Sequence, residues 1–248
     1  MTSDAPPVDL SPIDGERFGI SVARASVVAP DALASVNDFC RENGVNLLIA
    51  RCPASELRTA QAMERDGFSL MDTLVYYARN LKKTPIPSDI GKVPVRPVRP
   101  GEEEAVERVA AESFRGYFGH YHADGRLPRK QCDQVYTSWA VRSCTSRDVA
   151  DEVLVAERDA NIVGFATLRL NSPEEGDGVL FGVDPSAQGH GIYRSLMIHG
   201  MEWCVSEGAT RMVISTQINN VAVQKVWARL GFEPSHAYYT FHKWFDRT

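Results

Sequence analysis

Two hydrophobic periods alternate along the downstream two thirds of the chain. Short apolar runs over Val93 to Arg99, Glu152 to Arg158, Ile162 to Asn171, Val179 to Val183, Arg211 to Thr216 and Tyr238 to Trp244 predict strands. Apolar residues recurring every three or four positions predict helices over Glu102 to Phe114, Gln131 to Ser143, about Gly191 to Glu207, and Asn220 to Leu230. Asp159-Ala160-Asn161 supplies turn residues between two of the strands, and Gly116 to Lys130 follows neither period and reads as an aromatic, histidine-rich loop. The sum is an α/β protein, a mixed sheet with helices on both faces.

The upstream third repeats part of this pattern. Phe39-Cys40, Gly44, Leu48-Ile49, Arg65 and Gly67-Phe68 stand 164 positions before Trp203-Cys204, Gly208, Met212-Val213, Arg229 and Gly231-Phe232, with no gap needed. Each copy reads as a helix closed by glycine, a short apolar strand, a second helix, a glycine-phenylalanine turn and an aromatic strand. The glycine loop Gln188-Gly189-His190-Gly191 has no counterpart upstream, where the equivalent stretch from Arg24 to Val28 carries no glycine. Between the copies, Pro85, Pro87, Pro94, Pro97 and Pro100 mark a linker over residues 85–101 that merges into the first downstream strand, whose prolines confine it to a sheet edge. The expected organisation is a smaller half over residues 1–84 and a complete domain over residues 93–248.

Composition narrows the function. The chain has 248 residues, 44% of them hydrophobic, and 32 acidic against 27 basic residues, so a general attraction to nucleic acid or to an anionic membrane is not expected. Any anion needs a local site. Five cysteines without close pairing argue against a disulfide framework and against structural zinc, and no metal is implied. Met1 to Gly15 lacks the basic and apolar segments of a secretory signal, and no apolar run approaches a membrane span, so a cytoplasmic protein is expected.

Strand, glycine turn and helix start follow one another from Val183 to Ser195, an arrangement whose unpaired amides suit an anion. The loop lacks the Lys-Ser/Thr of a P-loop and the glycine spacing of a dinucleotide fold. Spacing alone leaves an ordinary tight turn as an alternative. Val183-Asp184-Pro185 followed by Gln188-x-x-Gly191, with Asn220 and Gly231-Phe232 downstream, resembles the GCN5-related N-acetyltransferase (GNAT) family, whose motif reads Q/R-x-x-G-x-G/A. The resemblance covers Val93 to Trp244. It implies the GNAT fold, a splayed mixed sheet flanked by helices, here preceded by a degenerate GNAT-like half. It also implies acetyl-coenzyme A as co-substrate, with the amides of Gln188, Gly189, His190, Gly191, Ile192, Tyr193 and Arg194 at its pyrophosphate. Phe181, Gly182 and Val183 would lie along its pantetheine arm and aim an N–H at the thioester oxygen, with Asn220 and Trp227 beside it. The two-half form and Ser215-Thr216-Gln217-Ile218-Asn219-Asn220 look like the dTDP-fucosamine N-acetyltransferases and similar amino-sugar enzymes.

Two residues depart from the family pattern. Tyr193 replaces the motif's last glycine or alanine, and Trp227 stands where many members carry a tyrosine that protonates the departing thiolate. Indole cannot act as that acid. Tyr238 and Tyr239 are candidates to replace it, with core packing as the alternative role. His120 and His122 are candidates to orient the acceptor or take its proton, or are loop histidines with no such part. Tyr117, His120, Tyr121, Arg126 and Arg169 are candidates for acceptor binding. Arg115, Arg126, Arg129 and Lys130 flank the aromatic loop as candidates for a nucleotide's phosphates or as solvated charge. His190, inside the glycine loop, and His242, between aromatics, carry structural alternatives.

The implied activity is direct acetyl transfer to the primary amine of a small molecule, an amino sugar or a nucleotide-linked one. Antibiotics or amino acids are the same-class alternative, and Trp227 keeps a non-catalytic acyl-coenzyme A sensor in view. The expected partner is the amine itself, without nucleic acid or membrane; a homodimer is compatible with the sequence.

Overall fold

The computed structural model describes residues 8–26, 29–88 and 93–245. In chain order the elements are β1 (Val8–Leu10), α1 (Pro12–Phe18), β2 (Val22–Ala25), a 3-10 turn (Pro30–Ala32), α2 (Leu33–Glu42), β3 (Leu47–Pro53), α3 (Leu57–Arg65) and β4 (Ser69–Asn80). Then come β5 (Val95–Pro97), α4 (Glu103–Ser113), α5 (His120–Ala123), α6 (Arg129–Thr145), β6 (Glu152–Arg158), β7 (Asn161–Ser172) and β8 (Glu175–Val183). A second 3-10 turn (Pro185–Ala187), α7 (Ile192–Ser206), β9 (Arg211–Gln217), α8 (Val221–Arg229) and β10 (Glu233–Trp244) complete the chain.

The described strands form one sheet in the order β1-β2-β3-β10-β4-β9-β8-β7-β6-β5. The internal repeat is exact in its boundaries: β3, α3 and β4 begin and end 164 positions before β9, α8 and β10. The sheet exchanges the last strand of each copy. β10 pairs antiparallel with β3, β4 pairs antiparallel with β9, and the two exchanged strands pair with each other. The strand order is therefore symmetric about the β10/β4 contact, with β2 and β3 on one side mirrored by β8 and β9 on the other, both parallel pairs. Short β5 lies at the sheet edge, where Pro97 costs no ladder bond. The expected linker includes residues 89–92, and the glycine-free stretch compared with the loop includes residues 27 and 28; these lie outside the described residues, as does the start of the chain to residue 7.

Three apolar cores follow from this layout. One lies between the sheet and α7 and α8, built on Leu196, Met197, Met201 and Trp227; one lies under α2 and α3, around Val36, Cys40, Met63 and Phe241. The third, on the opposite face, joins both halves, since Phe18, Leu47 and Ile49 share it with Val106, Cys132, Val155 and Phe165. The five cysteines are free thiols, four of them buried.

Three predicted boundaries shift for physical reasons. β8 begins at Glu175 rather than Val179, because glycines stand where apolar residues would betray the strand: a Cβ on Gly176 would sit 2.3 Å from Cys204 Sγ in α7. β10 begins at Glu233 rather than Tyr238, through a polar stretch with a register shift between Pro234 and His236. The loop from Gly116 to Lys130 contains helical α5, one turn long, with the Gly119 N–H donating to His122 Nδ1 at 3.2 Å.

Candidate functional site

β8 and β9 are parallel neighbours only as far as Gly178 and Ile214. Beyond that register β8 continues to Val183 on β7 and β9 continues to Gln217 on β4, so the two strands part while each stays anchored on its other side. Because the Asp184 N–H donates to Val163 O at 2.9 Å on the β7 side, the alternation of a strand turns the amides of Val183 and Phe181 into the cleft. A strand edge with unpaired donors is a place for an extended ligand.

The glycine loop lies at the end of that cleft. Asp184 fixes its entry, accepting from Ser186 N at 2.9 Å and Ser186 Oγ at 2.7 Å, bonds that hold its carboxyl below the usual range. Gly189 and Gly191 take φ of +80° and +81°, with no atom within 4 Å of where a Cβ would point. Their glycine identity answers to backbone conformation and to open approach. The α7 ladder starts with Ser195 N donating to Gly191 O at 3.0 Å, so the Ile192 and Tyr193 amides precede it at the positive end of a fifteen-residue helix. His190 is exposed, its Nδ1 within 3.0 Å of Gln188 O.

The two departures of sequence meet in space. Trp227 is buried at 1% exposure, and its indole N–H donates to the Tyr193 hydroxyl at 2.9 Å. Tyr193 also touches Phe181, ring centres 5.6 Å apart, and lines the cleft with Asn220, which donates through Nδ2 to Thr216 Oγ1 at 3.0 Å. Burial pushes the Tyr193 phenol above its ordinary range, so it keeps its proton at neutral pH. With the oxygen accepting from Trp227, the O–H remains to be given elsewhere.

The cleft opens into a cavity of about 480 Å³ under the face that carries α1, α5 and α6. Its walls come from both halves: Asp14, Arg24, Arg51 and Asp72 upstream, and Tyr117, His120, Tyr121, Phe181 and Gln217 downstream. Tyr117 hydrogen-bonds through its hydroxyl to Gln217 Oε1, and Tyr121 donates to Asp14 Oδ1 at 2.8 Å while accepting from Arg24. His120 faces a chain of partners. Asp124 Oδ2 accepts from His242 Nδ1 at 2.7 Å and from Trp244 Nε1 at 2.9 Å; His242 Nε2 then has to accept, and His120 Nδ1 donates to it at 2.9 Å. This tautomer assignment leaves His120 Nε2 with a lone pair. Burial, reinforced by His242, Arg24 and Arg51, holds His120 well below the ordinary histidine range, so it is neutral at pH 7. Burial alone would raise the Asp124 carboxyl, but the bonds from His242, the Arg126 amide and Trp244 outweigh it and keep it ionised.

Several candidates fall elsewhere. His122 donates through Nε2 to Asp133 Oδ1 at 3.1 Å and pins the α5 turn, outside the cavity wall. Tyr239 is packed under α2 and α3 against Phe241, and Tyr238, on the other face, lines a separate cavity with Arg51, Tyr76 and Asp177; neither meets the cleft, so neither replaces the missing acid. Arg126 lies over the Trp244 ring at 4.0 Å, and Arg169 is exposed on β7; both are outside the cavity. Arg115 pairs with Glu112, Arg129 sits over Phe118 at 5.7 Å and Lys130 is exposed, so the expected phosphate clamp does not assemble around the cavity. The arginines that line it are Arg17, Arg24, Arg51 and Arg142, which sequence reasoning missed because three come from the half without a loop and no local motif marks them. Asp177 was missed too; its signal was a carboxylate between two glycines in the strand that feeds the loop. Burial raises its pKa to about 6.

Residues 110–232 match the acetyltransferase (GNAT) family. This segment belongs to the GNAT family. The cleft, loop and first turn of α7 all fall within it, and acetyl-coenzyme A is the co-substrate of that family. The GNAT segment and its surroundings are 24% identical over 204 residues to the spore coat polysaccharide biosynthesis protein SpsD of Bacillus subtilis strain 168, covering 80% of this chain and 67% of that one. A mycothiol acetyltransferase of Streptomyces griseus is 27% identical over 173 residues, 67% of this chain and 52% of that one, so the chain spans about two thirds and about half of these relatives. In fold it is similar to a tandem GNAT protein from the clavulanic acid biosynthesis pathway, with a TM-score of 0.64 at 17% identity over 92% of this chain and 76% of that one. That likeness extends the GNAT architecture to both halves. The geometry fits acetyl-coenzyme A: a splayed strand pair exposes two amides, and glycines at the helix start leave space for a diphosphate.

Proposed function

We propose that the chain is an acetyl-coenzyme A-dependent N-acetyltransferase acting by direct transfer, with a small-molecule primary amine as acceptor, an amino sugar or a nucleotide-linked amino sugar. The observation that carries the reading is the cleft between β8 and β9, which runs from the anion-binding loop into a cavity walled by polar groups of both halves. The amino-sugar assignment is supported by the relative concerned with spore coat polysaccharide. A soluble cytoplasmic setting accords with the described residues, none of whose helices is long and apolar enough to cross a membrane.

When bound, the co-substrate supplies an activated acetyl thioester. The amides of Gly189 to Tyr193 hold its diphosphate, and those of Phe181 and Val183 orient the arm and its carbonyl. His120 Nε2 takes the proton that the acceptor nitrogen sheds as the new C–N bond forms, with Asp124 and His242 fixing its tautomer. Tyr193 gives its phenolic proton to the sulfur as the C–S bond breaks, and solvent returns a proton from His120 to Tyr193. In this reading Tyr193 and Trp227 together do what a single tyrosine at position 227 does in other members.

Thiol release from acetyl-coenzyme A is to be measured with free aminosugars, dTDP-aminosugars and simple amines. Turnover with an aminosugar is expected. Turnover of simple amines alone would discard the sugar, and coenzyme binding without release on any amine would replace the enzyme by a sensor.

A further inference from the structure

The cavity contains two upstream carboxylates in opposite conditions. Asp14 is fully satisfied, accepting from Arg24 at 2.6 Å, Ser11 at 2.7 Å and Tyr121 at 2.8 Å. Asp72 is half-buried as a residue, yet both of its carboxylate oxygens are sealed from solvent and neither has a hydrogen-bond partner among the described residues. Buried carboxylate oxygens left in that condition are costly, and each calls for a partner such as a water, an ion or a ligand.

The surroundings show what would complete it. Asp72 of β4 is in register with Thr240 of β10, which is in register with Arg51 of β3, so the three share one row and one face of the sheet. At a strand spacing of about 4.8 Å, Arg51 and Asp72 stand about 10 Å apart at the backbone. Arg51 reaches no carboxylate among the described residues and donates instead to the Tyr76 hydroxyl at 3.3 Å. The Thr240 hydroxyl, between them, is buried and likewise lacks a partner. Above the row are the phenols of Tyr117 and Tyr136, which burial and the Asp72 charge both hold in the protonated state. His120, on α5, completes the surroundings, near enough for Arg51 to act on it. Among the described residues no cation pairs with Asp72.

We infer that Asp72 is the docking point for the acceptor's ammonium group, so that the half without a coenzyme loop supplies the residue that selects an amine. The inference rests on the N-acetyltransferase reading and adds to it the group that recognises the acceptor, contributed from outside residues 110–232. The ammonium places three N–H donors against two carboxylate acceptors that nothing else uses. Solvent takes the first proton as the docked ammonium becomes the neutral amine, and neutral His120 in the same cavity takes the second as the C–N bond forms. Asp72 acts by positioning.

The test compares wild type with Asp72→Asn and Asp72→Glu, using whichever aminosugar of the panel is turned over and its analogue with hydroxyl in place of amine. A charge-assisted contact predicts a KM for the amine raised about 10- to 100-fold in the Asn variant, with the KM for acetyl-coenzyme A unchanged and partial rescue by Glu. The wild type should bind amine over hydroxyl analogue by a similar factor, and the Asn variant should lose that preference. Retained preference with unchanged amine KM overturns the inference. A melting temperature that stays level or rises in the Asn variant fits a carboxylate without structural partners, whereas a marked fall would make Asp72 structural and also overturn it. If the wild type turns over no amine, the loss is the enzyme reading's, and the melting comparison still decides whether Asp72 has a structural role.

Discussion

Replacing Asp177 by Asn should stabilise the protein at neutral pH and have little effect in acid. Asp177 stands on β8 between Gly176 and Gly178, and burial raises its pKa from 3.8 to about 6. The native state therefore binds the proton more tightly than the unfolded chain. Below pH 3.8 both states are protonated and the group contributes nothing. As pH rises through 3.8 the unfolded chain ionises first, and a penalty on folding grows until the native group ionises near 6, after which it is constant. The free-energy difference between titrating at 3.8 and at about 6 gives a plateau of about 3 kcal/mol. The Asn variant lacks the penalty, and any change in hydrogen bonding that it brings is largely independent of pH. Urea unfolding of both proteins at pH 4, 5, 6 and 7.5 should thus show the variant's advantage growing from about 0.5 kcal/mol at pH 4 to about 3 kcal/mol at pH 7.5. In thermal scans that corresponds to about 6 to 12 °C. A stability difference that stays flat between pH 4 and 7.5 would refute the reasoning, because it would mean that Asp177 ionises in the native state as it does in the unfolded one.

The hairpin between β6 and β7 turns on Asp159 and Ala160, both left-handed at φ of +50° and +62°, so Ala160→Gly should raise stability by about 1 kcal/mol in chemical denaturation. Gly191→Val forces a β-branched residue to φ of +81° at the mouth of the cleft and should weaken acetyl-coenzyme A binding at least about 10-fold by calorimetry; unchanged affinity would remove the loop from the site. Tyr193→Phe should lower kcat about 100-fold with little change in coenzyme affinity, the range expected for loss of a general acid, and thiol-release assays on a reactive thioester analogue with a better leaving group should recover most of the loss. Trp227→Phe, which removes the indole donor together with part of a buried ring, should lower kcat less than Tyr193→Phe in the same assay.

The parts of the site that are local in the chain were legible. Asp184, Gly189, Gly191 and the start of α7 fall within a dozen residues, and their conformations follow from turn chemistry and the hydrophobic period. The parts that depend on distant approach were not. His120 and His242 are 122 positions apart, and His242 and Asp124 are 118 apart, so a loop histidine and a strand histidine became one chain of hydrogen bonds only when β10 crossed beneath α5. Tyr193 and Trp227 were visible as two separate departures from the family pattern; that one accepts a hydrogen bond from the other required α7 and α8 to share one apolar core on the same face of the sheet. Conversely, Tyr238 and Tyr239 looked plausible as acids because an alternating strand does not say which face meets the cleft.

By itself the sequence determined the kind and order of the elements, the 164-residue repeat, the edge position of a proline-bearing strand and the loop that suits an anion. These follow from periods and turn residues that act over a few positions. Tertiary structure alone decided that β4 and β10 would change places. Both strands offer the same alternating backbone to either β3 or β9, and pairing depends on which edges the folded halves bring together, not on the strand's own pattern. That exchange carries Asp72, Thr240 and Arg51 onto one row of the sheet and makes two halves one cavity.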